Sequence, residues 1–498
     1  MKQSRREFLI KSGCALSMTA MATQMRHLGL VNAAAQTAID NGNGLVPSDY
    51  RALVCIFMSG GNDGNNTVIP NHNDATISNY TTYFNARTTQ GLALAQASLL
   101  PISVPRLGGL SYGLHPGLGP QTPAANIVNN GIHELWAQNK MAIAVNVGTL
   151  VAPMLKAQYQ NGSVQKPFQL FSHSDQVSQF QGGRSDTSSF TGWGGRVSDL
   201  RTQPDNPGGL IPMITSISGA QLFTAGQTTL PLAIANAGTS LANVLNPAGF
   251  NSSTASQARL AAFNQLRTMD LNSEVVAAAS HITDSAMQAN AVFQTSQEVT
   301  VTFPTTNIGN QLKQVARVIK KRGDLSVNRQ IFFCQLGGFD THNVQLTNQN
   351  NLLVQLSQAM RAFYEEMVVQ GIADKVTQFT MADFCRTLNP AGSGATVGSD
   401  HAWGNHMFVV GGGIVGADFY GSLRPDGSGN YYPTLTFNGP DDADSGTNAR
   451  GRWIPTSSVE QYAATLSRWY GLPEGDMNGV FPKLANFPTS NLGFMGAA

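Results

Sequence analysis

From Arg51 onward, short apolar runs alternate with stretches of helical periodicity. The runs are Ala52 to Met58, Met141 to Val147, Pro212 to Ile217, Pro231 to Ala235, Gln330 to Leu336, Val376 to Ala382 and Met407 to Val410. Most are β-branched or aromatic and are bounded by Gly, Ser or Asn, as strands are. Helical spacing recurs over Asn310 to Arg322, Asn351 to Gln370 and Ser458 to Tyr470. In the first of these, Lys320, Lys321 and Arg322 before Gly323 read as a cationic last turn and its C-cap. Strands alternating with helices predict an α/β fold with a mostly parallel central sheet flanked by helices. Residues 36–50, rich in Gly, Asn and Pro, read as a linker, 51–487 as one domain and 488–498 as a C-terminal tail. Within the domain, 239–296 is rich in Ala, Asn, Gln and Ser and reads as a helical insertion.

Composition narrows the choice of partners. Only 12% of the 498 residues are charged, against about 25% in ordinary soluble domains. The 30 basic and 29 acidic side chains leave +1, so bulk charge offers nothing to nucleic acid or an anionic membrane surface. Acids are scarce, and those placed beside Gly and His at strand ends therefore carry more weight.

Residues 1–35 read as an address. Ser4-Arg5-Arg6-Glu7-Phe8-Leu9 with Lys11 is a twin-arginine signal, followed by an uncharged stretch from Ser12 to Met25 and an Ala33-Ala34-Ala35 cleavage candidate. That stretch, about 14 residues, is short for a membrane span. The expected location is periplasmic or otherwise exported, with the twin-arginine translocase as a partner in transit and no stable span after cleavage. Cys14 leaves with the signal. Cys55, Cys334 and Cys385 remain, an odd set with no zinc spacing, two of them inside apolar runs.

In open α/β sheets ligands bind beyond the carboxyl ends of the strands. The first run ends in Ser59-Gly60-Gly61-Asn62-Asp63-Gly64, the fifth in Gly337-Gly338-Phe339-Asp340-Thr341-His342, and the sixth in Asp383-Phe384-Cys385-Arg386-Thr387. A fourth cluster, Ser399-Asp400-His401-Ala402-Trp403-Gly404-Asn405-His406, leads into the last run. Carboxylates and neutral imidazoles are ligands for zinc, manganese or iron. Asp63, Asp340, His342, Asp383, Asp400, His401 and His406 are together enough for one or two divalent ions (zinc, manganese or calcium), and two ions can clamp a phosphoryl or sulfuryl displacement. Against this stands the plainer reading of Asp after a strand as a helix cap or Asx turn. Arg386 either holds an anionic substrate group or neutralises the carboxylates. Ser172-His173-Ser174-Asp175 offers a nucleophilic hydroxyl beside a histidine or, as favoured here, a structural polar loop. Gly411-Gly412-Gly413-Ile414-Val415-Gly416 lacks the helix that a dinucleotide fingerprint needs. Asp442-x-Asp444-x-Gly446 lacks the glutamate of a calcium loop, with Trp453 in its place.

The twin-arginine start, the Ser59 to Thr67 loop, Gly338-Phe339-Asp340-Thr341-His342, Asp383 to Asn389 and Asp400 to His406 resemble the bacterial family called domain of unknown function 1501. That family is grouped by similarity with the alkaline-phosphatase-like superfamily of phosphatases, sulfatases and cofactor-independent phosphoglycerate mutases. The resemblance implies a three-layer α/β/α sandwich with metal at the strand ends. It implies metal-binding roles for Asp63, for Asp340 with His342, and for Asp383, where Phe384 replaces the usual histidine and either Asp400-His401 or His406 compensates or one metal is lost. No Ser, Thr or Cys matches the superfamily nucleophile. The expected function is an exported metal-dependent hydrolase of small phosphate or sulfate esters. The alternative is a non-catalytic envelope protein with a degenerate site, binding a partner encoded by a neighbouring gene.

Overall fold

A computed structural model describes residues 49–121, 130–245, 252–269, 271, 274–295 and 298–496. The twin-arginine signal and nearly all of the expected linker lie outside the described residues. The strands are β1 Arg51–Ser59, β2 Val68–Pro70, β3 Leu100–Val104, β4 Leu110–Leu114, β5 Met141–Gly148, β6 Ile214–Ser216, β7 Leu232–Ala233, β8 Arg329–Gly337, β9 Val376–Ala382, β10 Arg386–Ala391, β11 Gly398–His401, β12 Asn405–Gly411, β13 Phe419–Tyr420 and β14 Ser457–Ser458. The principal helices are α1 Gly64–Thr67, α2 Tyr80–Arg87, α3 His173–Gly182, α4 Trp193–Asp205, α5 Thr254–Leu266, α6 Glu274–Gln294, α7 Asn307–Lys320, α8 Gln345–Val369 and α9 Val459–Tyr470.

Every predicted apolar run forms a strand of one nine-stranded sheet, ordered β13-β5-β12-β9-β1-β8-β6-β7 with β14 beside β5. It is a mixed sheet. β1 runs parallel to β8 and β9, while β12 is antiparallel to both β5 and β9. Helices cover both faces, which is why the strands read as continuous apolar runs. Phe379 of β9 faces Trp193 of α4 and Tyr462 of α9, whereas its neighbour Gln378 points the other way and donates to the Met360 carbonyl of α8.

The helices follow their caps and stripes. In α7, Thr306 caps the start and Ile308, Leu312, Val315 and Ile319 form the buried face. That helix ends at Lys320, and Gly323 does not adopt the left-handed conformation that the Lys-Lys-Arg-Gly pattern predicts for a cap. α9 carries a Ser458–Gln461 capping box and ends on left-handed Gly471. α8 begins at Gln345, six residues before the predicted start, because the loop that closes the β8 end feeds straight into it. The predicted insertion contains α5 and α6. Residues 488–496, read from the sequence as part of a tail, return to the core. Phe494 is buried against Tyr420 and Tyr462, and its carbonyl accepts from the Val415 amide.

The register brings three strand ends to one edge. Ser59 pairs with Gly337, and Met58 with Ala382. β12 runs the opposite way, so it starts at that edge, with Asn405 opposite Val147. The β10–β11 hairpin, in which Arg386 pairs with His401, joins β9 to β12. Burial of Leu53, Val54, Ile56, Phe57 and Met58 contributes roughly 1.5–3 kcal/mol for each side chain. An exposed ion pair contributes about 0–1 kcal/mol. The sheet, rather than the charged rim, therefore fixes where the loops begin.

Candidate functional site

Each segment at this edge is held by backbone geometry that its sequence permits. Gly60 and Gly61 leave β1 with φ of +112° and +80°. A Cβ on Gly60 would lie 2.4 Å from the Asp340 amide nitrogen, and one on Gly61 2.6 Å from the Phe384 ring, so the loops approach closely only with glycine here. The β8 loop is pinned by the Phe339 amide to the Ser59 carbonyl (3.1 Å) and by the Ser399 amide to the Thr341 carbonyl (3.3 Å). It ends at Val344, whose φ of +48° is unusual for a β-branched side chain. His173 is the first residue of α3, delivered by a loop in which Gln169 and Phe171 also have positive φ.

These loops bring three imidazoles around one carboxylate oxygen. Asp340 Oδ1 lies 3.3 Å from His173 Nε2, 3.1 Å from His342 Nε2 and 3.8 Å from His401 Nε2. His342 Nε2 and His401 Nε2 are 3.0 Å apart. Ligand atoms of His173, Asp340 and His401 all fall within 4.8 Å of one another. A tetrahedral ion with metal–nitrogen bonds of about 2.0–2.1 Å separates its ligands by about 3.3–3.5 Å, close to the spacing here.

The groups behind the rings fix their tautomers. His173 Nδ1 is 2.7 Å from Asp383 Oδ2, His401 Nδ1 is 2.9 Å from the Phe171 carbonyl, and His342 Nδ1 is 3.4 Å from Asp400 Oδ1. Carboxylates and carbonyls only accept, so Nδ1 of His173 and of His401 is a protonated nitrogen, and in the neutral ring the Nε2 lone pair is turned inward. His173 Nε2 is buried and makes no hydrogen bond. Converging lone pairs and a carboxylate repel unless a cation lies among them; Arg386 supplies one at Asp340 Oδ1 and at His342 Nε2 (3.3 Å), while His173 and His401 are backed as metal-ligating histidines ordinarily are. The donor set of His173, Asp340 and His401 thus fits one divalent ion, with His342 alongside, its Nε2 3.3 Å from Arg386 Nη1. Half of the Asp340 side chain (50%) and 42% of His342 remain exposed, which leaves the centre open to solvent.

Arg386 sits beneath the cluster, fully buried. Its guanidinium donates to the carbonyls of Gly60, Gly61 and Ser399 and to Asp340 Oδ1, and its Nη1 lies 3.3 Å from His342 Nε2. Its donors are spent on the protein, and of the two roles open to it from the sequence it takes that of neutralising a carboxylate. Burial raises the Asp340 carboxyl, but Arg386 and the nearby imidazoles outweigh it and hold the group below its ordinary value. The hydrogen bond to Asp383 lifts His173 above the usual imidazole value. Burial lowers His401 and outweighs the Phe171 carbonyl, which raises it, with the Arg386 guanidinium adding to the lowering. The Phe384 ring lies 4.6 Å from His173 and 4.7 Å from His401, a hydrophobic floor where the resemblance would place a histidine.

The other predicted ligands have different employment. Asp63 is fully buried. It pairs with Arg87 at 2.6 Å, caps α1 through the Asn65 amide and accepts from Gln345 Nε2. His406 is buried in a stack on Tyr432, and its Nδ1 accepts from the Asn146 amide. Asp383 and Asp400 stand behind His173 and His342, and Asp383 also anchors the Gly60 amide at 3.0 Å. Ser172 donates to Asp175 at 2.6 Å. The loop preferred from the sequence as structural therefore contributes His173 itself to the cluster. His173 was a candidate from the sequence only as the partner of Ser172; its convergence with Asp340 and His401, and the Phe171 carbonyl behind His401, are what the sequence reading missed. The usable signal was a histidine opening a helix, followed by an acidic first turn.

Residues 50–432 match the model of a family described as protein of unknown function (DUF1501). No curated protein matches. Among solved structures, the chain is similar to the crystal structure of Ps i-CgsB in complex with k-i-k-neocarrahexaose, with 9% identity, 89% of this chain and 78% of that chain covered, and a TM-score of 0.31. So slight a likeness carries no argument about fold or activity. The family match spans most of the chain and includes every residue of the histidine cluster, and on that ground the protein belongs to the DUF1501 family.

Proposed function

We propose that this protein is an exported, metal-dependent hydrolase of phosphate or sulfate esters, working with one ion at the mouth of an alkaline-phosphatase-like sheet. The observation that supports it most is the convergence of His173, His342 and His401 Nε2 on Asp340 Oδ1. Imidazole nitrogens with one carboxylate oxygen suit zinc, iron or manganese. They suit calcium poorly, since calcium takes six to eight oxygens. One ion rather than two is favoured because Asp63, Asp383 and Asp400 are engaged by Arg87, His173 and the His342–Arg450 pair.

When bound, such an ion supplies Lewis acidity, polarising an ester oxygen and acidifying water. The chain's own residues orient and insulate. Asp383 and the Phe171 carbonyl hold the tautomers of His173 and His401, Arg386 offsets the Asp340 charge, and Phe384 keeps water from the inner side of the rings. Helices on both faces of the sheet and a single reversed strand, β12, support the superfamily assignment, and the twin-arginine signature supports export of an already folded chain.

A second reading is favoured by Ser172 and Arg386. The Ser172 hydroxyl is turned to Asp175 and the donors of the buried guanidinium are taken up by the protein, as befits a binding or assembly protein that keeps the site without turnover. Metal analysis of protein folded in the cytoplasm and purified without chelators separates the outcomes. Stoichiometric transition metal is expected in wild type and its loss in Asp340→Ala/His401→Ala. Absence of metal from both overturns the proposal. With metal present, turnover of aryl phosphates, phosphodiesters or sulfates supports the hydrolase, and silence across all three supports the second reading.

A further inference from the structure

The loop after β13 is built around a buried carboxylate. Asp442 accepts from the amides of Asn438 (3.0 Å), Asp444 (3.0 Å), Gly451 (3.2 Å) and Arg452 (3.1 Å). Arg450 is fixed on both sides of its backbone: its amide donates to Asp444 Oδ2 at 3.1 Å, and its carbonyl accepts from the Asn389 amide at 3.0 Å. This framework carries two arginines to the rim of the histidine cluster. Arg452 donates from Nε to the His401 carbonyl at 3.1 Å, and its guanidinium lies 4.6 Å over the Phe171 ring. Arg450 Nη1 meets Asp400 Oδ2 at 2.8 Å, and the other oxygen of Asp400 faces His342.

The Arg450–Asp400 pair is loosely committed. Its side chains are 47% and 36% exposed, and exposed pairs of this kind contribute little net free energy. An incoming anion would displace the carboxylate at small cost and gain a planar, permanently charged fork that matches phosphate or sulfate. Because Asp400 intervenes between Arg450 and His342, an anion on Arg450 sits beside the cluster rather than on it.

Resting on the hydrolase reading, we propose that Arg450, steadied by the Asp442 loop and flanked by Arg452, is the subsite for a second anionic group of the substrate. Preferred substrates would then carry one ester anion at the histidine cluster and a further phosphate, sulfate or carboxylate several ångströms away. The local charges permit this. Asp340, Asp383, Asp400 and Asp444 are opposed by Arg386, Arg450, Arg452 and the ion.

The test is calorimetric titration of the full metal-loaded chain with phenyl phosphate and with 4-sulfophenyl phosphate, metal content being measured on the same samples. Wild type is expected to bind the doubly anionic ligand about tenfold more tightly, the worth of one charge-assisted hydrogen bond. The ratio is expected to collapse towards one in Arg450→Gln and to be largely restored in Arg450→Lys. Equal binding of the two ligands by wild type, or an undiminished ratio in Arg450→Gln, overturns the subsite alone. Binding of neither by the loaded chain overturns the hydrolase reading and the subsite together.

Discussion

Asp383 Oδ2 lies 2.7 Å from Nδ1 of His173, joining the end of β9 to the start of α3 across the opening of the sheet. The bond selects the tautomer that turns Nε2 inward, and the other carboxylate oxygen holds the Gly60 amide. Asp383→Asn keeps the shape and an acceptor for Gly60 but removes the charge behind the ring. Affinity for zinc, read by competition with a chromophoric chelator, is expected to fall about 10–100-fold. Unchanged affinity would show that His173 is not a ligand.

Asp63 and Arg87 form a completely buried pair. Removing one partner strands the other charge, at a cost of about 3–5 kcal/mol. Arg87→Met is therefore expected to lower the denaturant midpoint sharply, while protein that remains folded keeps its metal stoichiometry. Loss of metal without loss of stability in Asp63→Asn would return Asp63 to the ligand set.

Two histidines away from the cluster make the fold acid-sensitive. Burial pushes His406 down to about 3 and His115 down to about 4, and each Nδ1 accepts a backbone N–H that an imidazolium would repel. In the unfolded chain both return to about 6.5. The unfolded state thus binds more protons below that pH, and stability present at neutral pH drains away as pH falls towards the folded values. The expected loss is about 2 kcal/mol per histidine by pH 5. Urea unfolding at pH 7 and pH 5 measures it. His406→Gln should lose less than wild type over that interval, and equal losses would refute the assignment.

Val344 holds a left-handed conformation at the start of α8 while 42% exposed. Asparagine tolerates this region far better. Val344→Asn is expected to raise stability by about 1 kcal/mol, detectable as a higher melting temperature. No rise, or a fall, would mean that Val344 packing outweighs the backbone cost.

The sheet was legible because most of its strands are apolar runs bounded by Gly, Ser or Asn, and register then brought the segments after Ser59, Gly337 and Ala382 side by side. Residue type identified Asp340, His342 and His401 as ligand candidates. It could not separate them from Asp63 and His406, because direction distinguishes these groups and composition does not. Asp63 turns inward to Arg87, and His406 lies under Tyr432. His173 was legible as a candidate beside Ser172 but not as a companion of Asp340 and His401, because it comes from a helix start far from them in sequence, held in place by the positive-φ residues Gln169 and Phe171. The same blindness to direction left Arg386 undecided until its donors were seen to end on backbone carbonyls and Asp340.

The pairing of β1 has a consequence for how the protein is made. Arg51 lies against Arg329, and Ala52 against Val376, so the central strand is synthesised first and meets its neighbours late. At translation rates of about 5–20 residues per second, β1 leaves the ribosome tens of seconds before either partner exists. For that interval a nine-residue apolar strand has neither of the neighbours that close its hydrogen-bonding edges in the native sheet.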